Sequence, residues 1–159
     1  MDCVLGKKTS KDTLLVLSER LSRYELIFKI PNRQAISVVR ALDSIEKRFG
    51  KHRFCKIFKS ITVDNGVEFS DFDGLERSFF DRAKKRTNVF YCHPYSAYER
   101  GTNERINRDI RRLLPKGTDF SKISNKSVHF VESWINSYPR ELFNFASSRD
   151  IFKYCLTAI

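Results

Sequence analysis

The sequence predicts an α/β domain, a mixed sheet of three antiparallel strands followed by parallel strands, with helices on its flanks. Three observations lead there. Short apolar runs crowd the segment before Pro31 and are split by polar turns. After Pro31 the apolar residues take up helical spacing. From that point helical segments alternate with short apolar runs, as when strands are joined through helices.

The opening strand falls over Asp2 to Leu5, and the polar run Lys7 to Asp12 turns the chain into a hairpin. Its strands are Thr13 to Glu19 (TLLVLSE) and Tyr24 to Ile30 (YELIFKI), separated by Arg20-Leu21-Ser22-Arg23. Pro31-Asn32 starts a helix expected from Arg33 to Phe49. Ala35, Val38, Val39, Leu42, Ile45 and Phe49 share one face of it, and Gly50 stands where a C-terminal cap is needed. A basic turn leads to a strand, Ile57 to Val63, that delivers Asp64. Next come a helix from Leu75 to Lys85, with Leu75, Phe79 and Phe80 turned inward, and a short strand, Val89 to Cys92. The loop His93 to Thr102 opens into a helix from Asn103 to Leu114, which Pro115 ends. Val128 to Tyr138 gives a further helix and Ile151 to Leu156 a last short one. No repeat, low-complexity tract or linker interrupts this order, so residues 1–159 are expected to form one domain.

With 159 residues, 41% of them apolar, the chain has enough material for a core, which excludes a disordered protein. The net charge of +11 favours a polyanionic partner, nucleic acid ahead of an anionic membrane. No apolar run is long enough to span a bilayer and no secretory leader opens the chain. The expectation is a cytoplasmic, nucleoid-associated protein without a membrane partner. Cys3, Cys55, Cys92 and Cys155 are too widely spaced for a disulfide framework or a zinc site.

Within this basic chain two acidic segments stand out. Asp64 lies in VDNGVEF, and Glu104 closes HPYSAYERGTNE at the head of an arginine-rich helix. Carboxylates inside a positive surface suit divalent ions held beside a polyanion. In-line attack on a phosphodiester builds negative charge on the entering and leaving oxygens, and two ions stabilise both. Mg2+ or Mn2+ takes oxygen ligands, so Asp2, Asp64 and Glu104 form the expected metal-binding and catalytic set, with two ions. Each residue also has a plainer local reading. Asp2 is close to a chain end, Asp64-Asn65-Gly66 favours a turn, and Glu104 complements the positive end of its helix. Glu99 rivals Glu104, although a helix holds a ligand more rigidly than a loop. Glu68 lies close enough to Asp64 to support it or to remain an exposed charge. Arg100, Arg105, Arg108, Arg111 and Lys116 surround the third carboxylate and are expected to position DNA phosphates; a solvated face is the alternative. Tyr98 is read as a base-stacking or loop-packing ring, and His93 as a phosphate contact or a structural hydrogen-bonding group.

These segments, together with Leu114-Pro115-Lys116-Gly117-Thr118-Asp119-Phe120 and Trp134-Ile135-Asn136-Ser137-Tyr138-Pro139-Arg140, resemble bacterial insertion-sequence transposases of the group named after insertion sequence thirty. The resemblance covers nearly the whole chain. It implies a ribonuclease H-like integrase core with an Asp-Asp-Glu triad matching Asp2, Asp64 and Glu104. It also implies metal-assisted cleavage at element ends, then attack of a 3′-hydroxyl on target DNA. DNA, as element ends and target, is the implied partner, and joining two ends implies a homodimer or larger assembly. The chain starts one residue before Asp2 and lacks the helix-turn-helix region of such transposases, so it is expected to be an N-terminally truncated core. Arg105 directly after Glu104 and Asp109 further along depart from the family pattern. The alternative expectation is therefore a catalytically silent fragment that binds DNA or full-length transposase.

Overall fold

The computed structural model describes residues 1–92 and 101–157, and the side chains of all of these except 101–104. Strands β1 (Asp2–Leu5), β2 (Thr13–Ser18) and β3 (Glu25–Ile30) form an antiparallel meander, with Asp2 opposite Val16 and Val16 opposite Ile27. Helix α1 (Ala35–Phe49) follows, then α2 (Lys51–Ile57), β4 (Ser60–Val63), α3 (Phe72–Glu76) and β5 (Asn88–Tyr91). Three more helices complete the chain: α4 (Gly101–Leu113), α5 (Asn125–Ser137) and α6 (Ser148–Thr157).

β4 and β5 pair in parallel, and β1 lies beside β4. The α-amino group of Met1, just ahead of β1, donates to Thr62 O of β4 at 2.7 Å, so the three-stranded ladder β1-β2-β3 and the two-stranded ladder β4-β5 meet there. Helices cover both faces. On one, Leu15, Leu17, Leu26 and Ile61 pack against Val38, Leu42 and Ile45 of α1 and Phe54 of α2. On the other, Val4, Leu14, Val16 and Ile27 pack against Ile106 and Ile110 of α4 and Val131 and Ile135 of α5. A strand buried on both sides reads as an unbroken apolar run, and TLLVL in β2 is buried throughout.

Helix α1 starts two residues later than its spacing predicts. Asn32 Oδ1 accepts from Gln34 N and Ser37 Oγ and holds the entry turn outside the helix. Its end is as expected: Gly50, at φ 78°, donates its N–H to Glu46 O at 2.8 Å in a conformation that disfavours a side chain.

Two expectations need correction. The basic turn after Gly50 is helix α2, with Phe54 fully buried beneath a charged exterior, so β4 begins at Ser60 rather than Ile57. The helix expected from Leu75 to Lys85 is only α3. It ends because Arg86 enters the core. Its guanidinium donates to Gly74 O, Leu75 O and Asp43 Oδ1, while Glu46 takes Ser78 Oγ and Phe79 N. Segment 77–85 is laid over this buried ion network as a loop, and Phe79 and Phe80 face outward.

The candidate metal site and nucleic-acid groove

Asp64 is delivered by β4, and a tight turn follows it. Asp64 Oδ1 accepts from Gly66 N at 3.1 Å, so the turn reading and the site reading describe the same residue. Two bonds on the β5 side hold this turn: Cys92 N donates to Val63 O at 2.8 Å and the Asn65 side-chain Nδ2 to Cys92 O at 3.3 Å. Gly66 leaves room for two carboxylates. A methyl group there would stand 2.7 Å from Glu68 Oε2 and 2.9 Å from Asp64 Oδ1. The same distances bring the Glu68 and Asp64 carboxylates to a common point.

Glu68 is buried and is gripped by Arg33, whose Nη2 lies 2.7 and 2.8 Å from the two carboxylate oxygens and whose Nε donates at 3.1 Å. It is a paired carboxylate supporting the Asp64 turn, not an exposed charge. Arg33 escaped the sequence reading because nothing local links it to a residue 35 positions on.

Asp2 enters from β1. Its Oδ1 accepts from Cys3 N at 2.8 Å and its Oδ2 from Asn107 Nδ2 of α4 at 3.0 Å. Between Asp2 and the Asp64 turn sits Cys3. Burial pushes its thiol up to about 12, and the negative charges of Glu68, Asp2 and Asp64 add to the effect against Arg33. The charges of both aspartates thus reach the same thiol. With the Cys3 thiol held protonated, the donors available here are carboxylate oxygens, which fits a hard divalent ion.

Glu104 belongs to α4, and the helical period puts its backbone position one turn before Asn107. Its side chain lies outside the described ones. His93, Tyr98, Glu99 and Arg100 lie outside the described residues altogether. Among the described residues no group of three His, Cys, Asp or Glu side chains is placed to hold a metal. Asn107, like Arg33, was missed from sequence; its signal was a polar amide three positions after Glu104 on the same helix.

Beside Asp2 a groove of about 530 Å³ runs between β1 and α4, lined on the helix side by Asn107, Arg108 and Arg111 and closed by Lys116. Arg108 and Lys116 are exposed, as is Arg105 one turn earlier. Arg111 is committed to the fold. It donates to Leu5 O and lies over the Phe120 ring, 6.0 Å from its centroid.

No protein-family model matches the chain. It is 33% identical over 159 residues to a probable transposase for the insertion-like sequence element IS1161 of Streptococcus salivarius, an alignment covering 99% of this chain and 42% of that protein. It is 30% identical over 152 residues to transposase InsI for insertion sequence element IS30C of Escherichia coli (strain K12), covering 96% and 37%. The chain therefore spans about two fifths of the length of these curated relatives. Among solved structures it superposes on the catalytic core domain of BIV integrase with a TM-score of 0.68 and 16% identity, covering 99% of this chain and 94% of that one. Over nearly its whole length the chain is similar in sequence to these insertion-sequence transposases, the insertion sequence thirty element's among them, and its fold is that of a retroviral integrase catalytic core, ribonuclease H-like.

Proposed function

We propose that the chain is the catalytic core of a DNA transposase, a polynucleotidyl transferase of the Asp-Asp-Glu type that cuts DNA at element ends and joins them to target DNA. The observation that carries this reading is the bond from Asn107 to Asp2. It pins α4, and with it position 104, against the strand that bears the first aspartate, beside the strand that bears Asp64. Asp2, Asp64 and Glu104 would hold the divalent ions, two Mg2+ or Mn2+. When bound, the ions supply charge stabilisation at the entering and leaving oxygens of an in-line displacement.

The rest is work for the protein's own residues. Asn107 fixes the Asp2 carboxylate. The Gly66 turn aims Asp64, backed by the Glu68–Arg33 pair. Arg108 and Lys116 line the groove and, with the exposed Arg105 one turn earlier on α4, would bind phosphates that flank the reacting bond, where the guanidinium fork suits paired oxygens. Arg100, His93 and Tyr98 are assigned to the same DNA path from their place in the sequence, and Arg111 to holding the wall of the groove. Joining two ends calls for a homodimer or larger assembly, and DNA as partner places the protein at the nucleoid. No helix among the described residues is long and apolar enough to cross a membrane.

The test compares Glu104→Gln with Glu99→Gln. Glu104→Gln is expected to lose metal-dependent strand transfer and Mn2+ binding by calorimetry, with an unchanged circular dichroism spectrum, while Glu99→Gln keeps both. Strand transfer retained by Glu104→Gln overturns the assignment.

A further inference from the structure

On the far side of β3 from β1, α1, α2 and α6 enclose a cavity of about 390 Å³ that shares no residue with the groove above. Its rim carries Arg48, Arg53, Arg149 and Lys153, and no acidic residue lines it. Its floor is apolar. Tyr24 and Phe152 stack with ring centroids 4.3 Å apart and planes 11° apart, fixing α6 to the head of β3 beside Leu26 and Phe49.

Four cations gathered around an apolar floor repel one another, so each requires a reason to be there. Arg48 has one, because it sits in the last turn of α1 and complements the negative end of that helix. Arg149 has another: it donates to Ser133 O and Oγ, at 3.2 and 2.7 Å, and is thereby held in place at the rim. Lys153, one turn after Asp150 on α6, is opposed to that carboxylate only through its charge, without a close ion pair. Arg53 has none. Both are exposed, and neither forms an ion pair or side-chain hydrogen bond among the described residues. The two nearby acids do not line the cavity and are hydrogen-bonded to other groups, Asp150 to Ser147 and Glu132 to Ile27 N, while the charges of Lys153 and Arg149 act on the first and that of Arg48 on the second. Burial holds the Tyr24 phenol above its ordinary range, so it remains a neutral donor at the floor.

We propose that this cavity is a second DNA contact, where Arg53, Arg149 and Lys153 take phosphates of a strand outside the reacting bond and the apolar floor takes a sugar or base. The proposal rests on the transposase reading for its choice of DNA. The chemistry behind it is the pairing of aromatic and cationic groups that characterises sites for strand backbones. A core that holds DNA only at the scissile bond leaves the flanking duplex free to swing; a second contact on other elements would fix its direction.

The experiment measures binding of a fluorescein-labelled duplex by anisotropy in EDTA, so that no chemistry is needed, across a salt series. The Arg53→Ala, Lys153→Ala double variant is expected to bind about tenfold more weakly, with the slope of log K against log salt shallower by about two. Arg53→Glu alone, at an exposed position, is expected to weaken binding in the same direction. Affinity and slope equal to wild type in both variants overturn the proposal. So does heat of ATP binding that the double variant abolishes while its DNA affinity is unchanged, which would make the cavity a site for free nucleotide. If strand transfer survives Glu104→Gln while the double variant still loses DNA affinity, the catalytic assignment fails and this site stands.

Discussion

Glu25, at the head of β3, is a carboxyl group cut off from water. Ser18 Oγ donates to its Oε2 at 2.6 Å, and its Oε1 has no hydrogen-bond partner. Burial pushes its pKa up to about 8 from an ordinary 4.5, so the folded protein keeps a proton that the unfolded chain has released. Between those two values the native state binds more protons, and stability therefore falls as pH rises, by up to about 1.4 kcal/mol per pH unit from this group. Glu25→Gln is expected to flatten the decline of urea midpoints between about pH 5 and pH 8. A residual slope will come from Glu132, which burial shifts the same way. An unaltered slope in the variant would show that Glu25 ionises freely. Nothing in YELIFKI announced this; a glutamate at the start of a strand reads as solvent-exposed until α5 is laid against it.

At the scale of elements, the link between α4 and β1 decides whether the third carboxylate meets the first two. Asn107→Ala removes one hydrogen bond, and stability is expected to fall by only about 1 kcal/mol. Function is expected to suffer more, with Mn2+ affinity or strand transfer down about 10- to 100-fold, as when a group that orients a metal ligand is lost. Equal loss in melting temperature and activity would mean that Asn107 only packs. The meander, α1, β4 and the course of α4 were legible because each has a regular apolar period or a clear stop, such as Gly50 or Pro115. Helix α2 was not, since KHRFCKI buries only Phe54. The stretch after α3 was misleading for the opposite reason. Leu75, Phe79 and Phe80 have helical spacing, yet the buried Arg86 with Asp43 and Glu46 dictates the path there. Asp2, Asp64 and Glu104 are named as the site from the segments around them and from the family resemblance. Their supports, Arg33 and Asn107, depend on contacts between residues far apart in sequence.

Across the whole molecule the sheet separates two cores, and β2 belongs to both, with Leu15 facing α1 and Leu14 facing α4 and α5. Damage on one face should therefore be felt on the other. Leu15→Ala is expected to cost about 2–5 kcal/mol. Trp134, packed against the opposite core, should report the same shifted midpoint as circular dichroism, in a single transition. Separate midpoints would show two independently folding halves. The margins of the sheet carry a different consequence. On β3, Glu25 N donates to Asn136 Oδ1 at 2.8 Å and Ile27 N to Glu132 Oε2 at 2.7 Å. On β5, Val89 N donates to Glu76 Oε1 at 2.9 Å. Main-chain donors that would otherwise template another strand are already occupied by side chains of the same molecule. If copies are brought together at two DNA ends, as the proposed function requires, these occupied positions would discourage them from fusing through their backbones and favour contacts between side-chain surfaces that are able to part again.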